Sequence, residues 1–168
     1  MQAGKISLRP PRMTDKTRLA DLVNNRKIWN NVRDMLPHPY AESDAEFFIG
    51  TTFKEEPQKT FAIEYEGQLC GMTGLHPQED VYRLSAELGY WIGEPYWGKG
   101  IASQAVALIT QYGFDKLDLV RIYAGVFEYN TASMRVLEKN GFVKEGVLRK
   151  AIIKNGAIWD EHRFSKIL

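Results

Sequence analysis

At 168 residues with 44% hydrophobic side chains, the chain has enough apolar material for one domain with a full core and too little for two. The 22 lysines and arginines stand against 21 acidic residues, so no electrostatic surplus points to nucleic acid or an anionic membrane as a general partner. The single cysteine, Cys70, cannot close an internal disulfide, no apolar run nears the ~20 residues of a membrane helix, and MQAGKISLRP lacks a signal-peptide core; all three suit a cytoplasmic protein.

Residues 6–9 read as a first strand, closed by Pro10-Pro11. A helix follows from Thr14 or Asp15 to about residue 25, with Leu19, Leu22 and Val23 on one face, and a short second helix over 28–33 is broken by Pro37 and Pro39. Ser43-Asp44-Ala45-Glu46 is a capping-box pattern ahead of Phe47, Phe48 and Phe53, and predicts a helix over 44–55. Residues 61–65 and 69–75 pair as a hairpin through Glu66-Gly67, and residues 84–92 form the next strand. A glycine-spaced turn, Gly98-Lys99-Gly100-Ile101-Ala102, then enters a helix whose apolar residues Ile101, Ala105, Leu108, Ile109 and Tyr112 share one face. A strand over 120–126 precedes a short helix capped by Asn130 and stopped by Gly141. Residues 143–153 and 157–165 close as a hairpin about Asn155-Gly156. Hairpins flanking two helical crossovers argue for an α+β fold and against a doubly wound parallel sheet.

The turn at 98–102 has the makings of a pyrophosphate cradle. Small residues let the backbone approach a ligand and aim successive N–H groups at it, with the positive end of a helix dipole behind them. A Walker loop requires Ser or Thr after the lysine, but Gly100 follows Lys99; a dinucleotide fingerprint requires a third glycine where Ser103 stands. A plain strand-to-helix turn is the alternative.

The segment W-G-K-G-I-A at 97–102, followed by N-x-x-S-x-x-V-L-E-K-N-G-F at 130–142, resembles the GNAT-type N-acetyltransferases. Ala86-Glu87-Leu88-Gly89-Tyr90-Trp91 is similar to their RimJ/RimL branch of ribosomal-protein N-terminal acetyltransferases. The resemblance implies a GNAT-like acyl-CoA N-acyltransferase fold over residues 1–168: a mixed, mostly antiparallel sheet of about seven strands, flanked by helices and splayed between the fourth and fifth, here 84–92 and 120–126. It implies acetyl-CoA as donor. Tyr90, Trp91 and Ile92 would lie along the pantetheine arm, with one N–H polarising the thioester carbonyl. Gly98, Lys99, Gly100, Ile101 and Ala102 would hold the pyrophosphate. Many members carry Gln or Arg at the position of Trp97, so charge assistance falls to Lys99, which otherwise is an ordinary solvated lysine.

An amine must lose a proton before it attacks, and Glu87 is the candidate base, with an ion pair to Arg83 or Arg121 as its plain alternative. The tyrosine that many family members use to protonate the departing thiolate is replaced by Leu137. In the RimL-like branch a serine at the position of Ser133 takes that role; the alternative is a serine bonded to a first-turn backbone group. Asn130 either contacts the pantetheine arm or substrate, or caps its helix. The resemblance also places Trp29, Asn31, Arg33, Tyr40, Tyr82 and Trp159 around the acceptor, a small-molecule amine or a protein N-terminus. His38, His76 and His162 are too scattered for a metal site, and Cys70 on a strand reads as a core residue, so transfer is expected without an acetyl-enzyme. A monomer or homodimer fits. The competing functions are a catalytically silent acyl-CoA sensor and a glycine-loop protein for another phosphorylated ligand.

Overall fold

In the computed structural model, which describes residues 1–168, the chain opens with β1 (Gln2–Ala3) and β2 (Ile6–Arg9). It then passes through α1 (Lys16–Val23), α2 (Arg26–Trp29) and α3 (Glu42–Thr52) before the hairpin of β3 (Thr60–Tyr65) and β4 (Gln68–Pro77). β5 (Ser85–Ile92), α4 (Ile101–Lys116), β6 (Arg121–Phe127), α5 (Thr131–Lys139), β7 (Val143–Lys154) and β8 (Ala157–Ile167) complete the order. The strands form one sheet in the order β1-β2-β3-β4-β5-β6-β8-β7, and every neighbouring pair is antiparallel except β5 with β6. The eighth strand, absent from the sequence reading, is β1; two residues carry no alternation to detect.

That parallel pair is brief. It comprises Ser85 with Arg121, Ala86 with Ile122 and Glu87 with Tyr123, after which β5 and β6 part, as the resemblance implied. Side chains alternate across a strand, so β5 divides cleanly between two cores. Ala86, Leu88 and Ile92 pack with Ile101, Ala105, Ile109 and Leu137 of α4 and α5. Trp91 packs with Leu19, Val23 and Ile49 of α1 and α3 on the opposite face.

Three local expectations are corrected. Helix α3 starts at Glu42, and its N-terminal bond runs from the Ala41 N–H to the Asp44 carboxylate at 2.8 Å, so the Ser43–Glu46 register is not used. Helix α2 covers 26–29 because Asn25 caps it, its side chain accepting the Lys27 N–H at 2.8 Å. On α4 the buried stripe is Ile101, Ala105, Val106, Ile109, Thr110 and Gly113. Leu108 and Tyr112 are half-buried at its margin, where the Tyr112 hydroxyl donates to the Gln58 carbonyl at 2.7 Å. The stripe turned because Gly113 lets Leu75 and Ile122 press in; a Cβ there would stand 2.8 and 2.7 Å from their Cδ1 atoms.

Candidate active site

The site begins where the sheet opens. The Gly93 N–H donates to the Cys70 carbonyl at 2.8 Å, and polar groups alternate along a strand, so the odd residues of β5 bond to β4 and the even ones face β6. The last pair, Glu87 with Tyr123, still engages the Leu88 N–H; beyond it the Leu88 carbonyl and the backbone groups of Tyr90 and Ile92 line an open gap. The Ile92 carbonyl accepts the Trp97 indole N–H at 2.6 Å, a bond made from outside the sheet.

Immediately downstream, Gly98 and Gly100 have φ of +75° and +73°, left-handed values that cost other residues strain. The loop leaves the N–H groups of Gly98, Lys99 and Gly100 without intramolecular partners, and they sit at the positive end of the sixteen-residue α4. Lys99 is not loose: its ammonium lies 5.7 and 5.3 Å from the ring centres of Tyr65 and Tyr96.

A cavity of about 400 Å³ runs through the gap. On the α1/α3 face it is lined by His76, Glu87, Trp91, Gly125 and Glu161 with Asn31, Arg33, Met35 and Leu36 from the loop after α2; on the α5 face it is lined by Tyr90, Ala124, Val126, Asn130 and Ser133. Glu87, 17% exposed, forms an ion pair with Arg33 through one carboxylate oxygen. No cluster of three or more His, Cys, Asp or Glu side chains converges to hold a metal ion.

A family model for the acetyltransferase (GNAT) domain matches residues 5–143. The chain belongs to the GNAT acetyltransferase family. A probable N-acetyltransferase of Bacillus subtilis (strain 168), YjcK, is 48% identical over 176 residues, covering 100% of this chain and 97% of its own. Among solved structures, Mycobacterium smegmatis RimJ in complex with CoA-disulfide superposes with a TM-score of 0.86 at 25% identity, covering 96% of this chain and 81% of that one. Spermidine N-acetyltransferase from Vibrio cholerae, in complex with CoA and spermine, superposes with a TM-score of 0.83 at 27% identity, covering 97% and 95%. The chain is thus an N-acetyltransferase and its cofactor is acetyl-CoA. The free N–H groups of the 98–100 loop and the unpaired edge of β5 fit such a group, offering donors to a pyrophosphate and a strand edge to an amide-bearing arm.

Within this GNAT acetyltransferase, Ser133 has a partner that the sequence did not reveal. The Tyr90 hydroxyl lies 2.7 Å from Ser133 Oγ and 3.2 Å from the Ser133 carbonyl oxygen, joining β5 to α5 across the cavity wall. Burial pushes the Tyr90 phenol up to about 12, and the bond to Ser133 opposes that rise. Asn130 caps α5, its side chain accepting the Ser133 N–H at 3.2 Å, and it also borders the cavity. Leu137, at the position of the missing family tyrosine, is fully buried in the core.

The expected acceptor residues divide. Asn31 and Arg33 border the cavity; Trp29, Tyr40, Tyr82 and Trp159 do not. The Trp29 ring takes cation–π contacts from the Arg26 guanidinium and the Lys154 ammonium, Tyr40 is a core residue, Tyr82 is exposed on the turn before β5, and Trp159 packs edge-on against Tyr129. His76 and Glu161 are the ionisable cavity residues that sequence reasoning missed. The signal for Glu161 was glycine inside a strand, which marks close approach: a Cβ at Gly125 would lie 2.6–2.8 Å from the Glu161 carboxylate. His76 carried no such signal, since a Cβ at Gly89 would meet its Nε2 at an ordinary 3.6 Å.

Proposed function

We propose that the chain transfers acetyl from acetyl-CoA directly to a primary amine, a protein N-terminal α-amine or a small-molecule amine, with both substrates bound together. The observation that carries this reading is the cavity through the gap, which sets Glu87 on one side of the sheet and the Ser133–Tyr90 pair on the other. Bound acetyl-CoA supplies an activated acetyl thioester. Glu87 takes the proton of the incoming amine, needed because an α-amine with pKa near ~8 and a lysine near ~10.4 are mostly ammonium at neutral pH. The free backbone N–H groups of β5 stand ready to polarise a carbonyl held in the gap. Ser133 donates to the departing thiolate, and Tyr90, protonated throughout the neutral range, holds the Ser133 hydroxyl in place and backs it as donor. Cys70 supports direct transfer: its thiol is fully buried, pushed up to about 12 by that burial, and donates to the Ile63 carbonyl at 3.3 Å, away from the cavity.

The Ser133–Tyr90 pair makes a graded prediction. Ser133→Ala lowers kcat by about tenfold, because Tyr90 remains, and the Ser133→Ala, Tyr90→Phe double variant lowers it by about a hundredfold or more. Thiol release at saturating substrates measures both; a double variant with unchanged kcat removes the donor role from this pair.

The reading as a whole is tested by calorimetric titration of acetyl-CoA into wild type and Gly100→Trp, then by thiol release over a panel of amines and peptide N-termini. A non-glycine residue at φ +73° is strained and its indole covers the loop donors, so the variant binds at least about tenfold more weakly. Wild type binds and turns over some acceptor. A folded wild type that binds no acetyl-CoA refutes the proposal, and binding with no turnover on any acceptor leaves a silent acyl-CoA sensor in its place.

A further inference from the structure

The hairpin of β7 and β8 lies almost wholly beyond the matched family segment, which ends at residue 143. It contributes one side chain with acid-base character to the cavity, Glu161. In the register of β6 with β8, Glu161 sits opposite Phe127, and Gly125 opposite Arg163. The Glu161 side chain leans back along the sheet until its carboxylate rests over the bare Cα of Gly125. Any other residue at 125 would occupy that place. Gly125 is the second residue of β6 past the last pair with β5, so this carboxylate is drawn toward the point where the strands part.

The ion-pair geometry is also one-sided. Arg163 donates from both Nε, at 2.9 Å, and its terminal nitrogen to a single oxygen, Oε1. Oε2 makes no hydrogen bond within the protein. Glu87 repeats the pattern, with Arg33 engaging Oε1 alone. Two carboxylates therefore border one cavity, each anchored through one oxygen and each with the other open. Each carboxylate is paired with its arginine, so what the cavity offers is two open acceptor oxygens, and an ammonium group, with three N–H donors and a positive charge, meets them better than a neutral nitrogen does.

We propose that Glu161 is an acceptor-binding residue that receives the ammonium group of a cationic aliphatic amine through Oε2 and presents it to Glu87, so that the enzyme selects acceptors by their positive charge. This rests on the acetyltransferase reading and narrows its substrate class to amines that arrive protonated. Glu161 moves no proton itself; its contribution is binding and orientation.

The experiment measures steady-state KM and kcat at neutral pH for two acceptors in wild type, Glu161→Gln and Gly125→Ala. One acceptor is an aliphatic primary amine, protonated in solution; the other is an arylamine, uncharged there. Gln at 161 can still accept from Arg163, so this variant removes the charge and keeps the bond that holds the hairpin. Ala at 125 keeps the charge and pushes the carboxylate off its seat. Both variants raise KM for the aliphatic amine by about tenfold or more, the loss expected for one hydrogen bond to a charged group, with kcat and the arylamine KM little changed. Equal shifts for the two acceptors, or wild-type KM in both variants, overturn the assignment while leaving the acetyltransferase reading standing. A wild type that acetylates neither acceptor nor any other amine refutes that reading, and this inference falls with it.

Discussion

Glu87→Gln lowers kcat by about 10²–10⁴-fold at neutral pH, the usual contribution of a positioned general base, while acetyl-CoA affinity is unchanged. The affinity is spared because Glu87 lies at the parting of β5 and β6, whereas the donors for a pyrophosphate are in the 98–100 loop. The deficit is pH-dependent in a defined direction. A variant without the base relies on the fraction of acceptor already deprotonated in solution, and that fraction grows tenfold per pH unit below the amine pKa. The gap between variant and wild type therefore narrows as pH rises toward that pKa. A pH–rate profile of both enzymes on one amine checks this, and a deficit that is constant across pH assigns Glu87 a purely structural part. Arg33, 63% exposed, sits on the solvent side of the ion pair and holds the carboxylate toward the cavity.

Lys154→Ala lowers stability by about 3 kcal/mol and the melting temperature by about 6–12 °C. Lys154 ends β7, yet its ammonium is buried at 2% exposure, donating to the Val32 carbonyl at 2.9 Å and to Asp34 Oδ1 at 2.6 Å, with the Trp29 ring centre 3.5 Å away. Hydrogen bonds from a charged group contribute about 1.5–3 kcal/mol, a desolvated cation–π contact about 2, and truncation of a long buried side chain adds a cavity term; these overlap and do not sum. The same contacts fasten the loop carrying Asn31 and Arg33 to the terminal hairpin. Acceptor KM consequently rises in Lys154→Ala even at temperatures where the variant is folded. Lys154→Met restores the stem without the ammonium, and recovers part of the stability but none of the KM. Thermal unfolding and acceptor kinetics separate the two effects, and a variant with wild-type melting removes Lys154 from its structural role.

What could be read from the sequence was whatever is local. The 98–102 turn needs positive φ at Gly98 and Gly100, and only glycine meets that freely, so the loop announced itself. Asn130 and Gly141 bracket α5 for the same kind of reason. The buried stripe of α4 departs from the predicted one because Gly113 is buried by Leu75 of β4 and Ile122 of β6 pressing on it, which no 3.6-residue count contains. Long-range pairs were out of reach altogether. Tyr90 meets Ser133 across 43 positions, Arg33 meets Glu87 across 54, and Lys154 meets Asp34 across 120. The ion pair that stood as the plain alternative for Glu87 named Arg83 or Arg121, neighbours in sequence or across the strand pair; Glu87 pairs with Arg33, and Arg121 is engaged by Glu145 at 2.6 and 2.5 Å. The acceptor aromatics failed for a related reason: an aromatic side chain fits a core or a helix junction as readily as a cleft, and composition does not distinguish these.

The bond from Trp97 to the Ile92 carbonyl bears on how tightly a donor can be held. An amide arm that pairs along β5 meets that carbonyl with one lone pair already engaged, so at this position it shares the oxygen with the indole or displaces it, and gains less than from a free acceptor. Affinity must then come mainly from the loop amides and from apolar contact. Such a contact also changes the surroundings of an indole that is 46% exposed, so the emission of Trp97, one of four tryptophans, becomes an unlabelled gauge of occupancy.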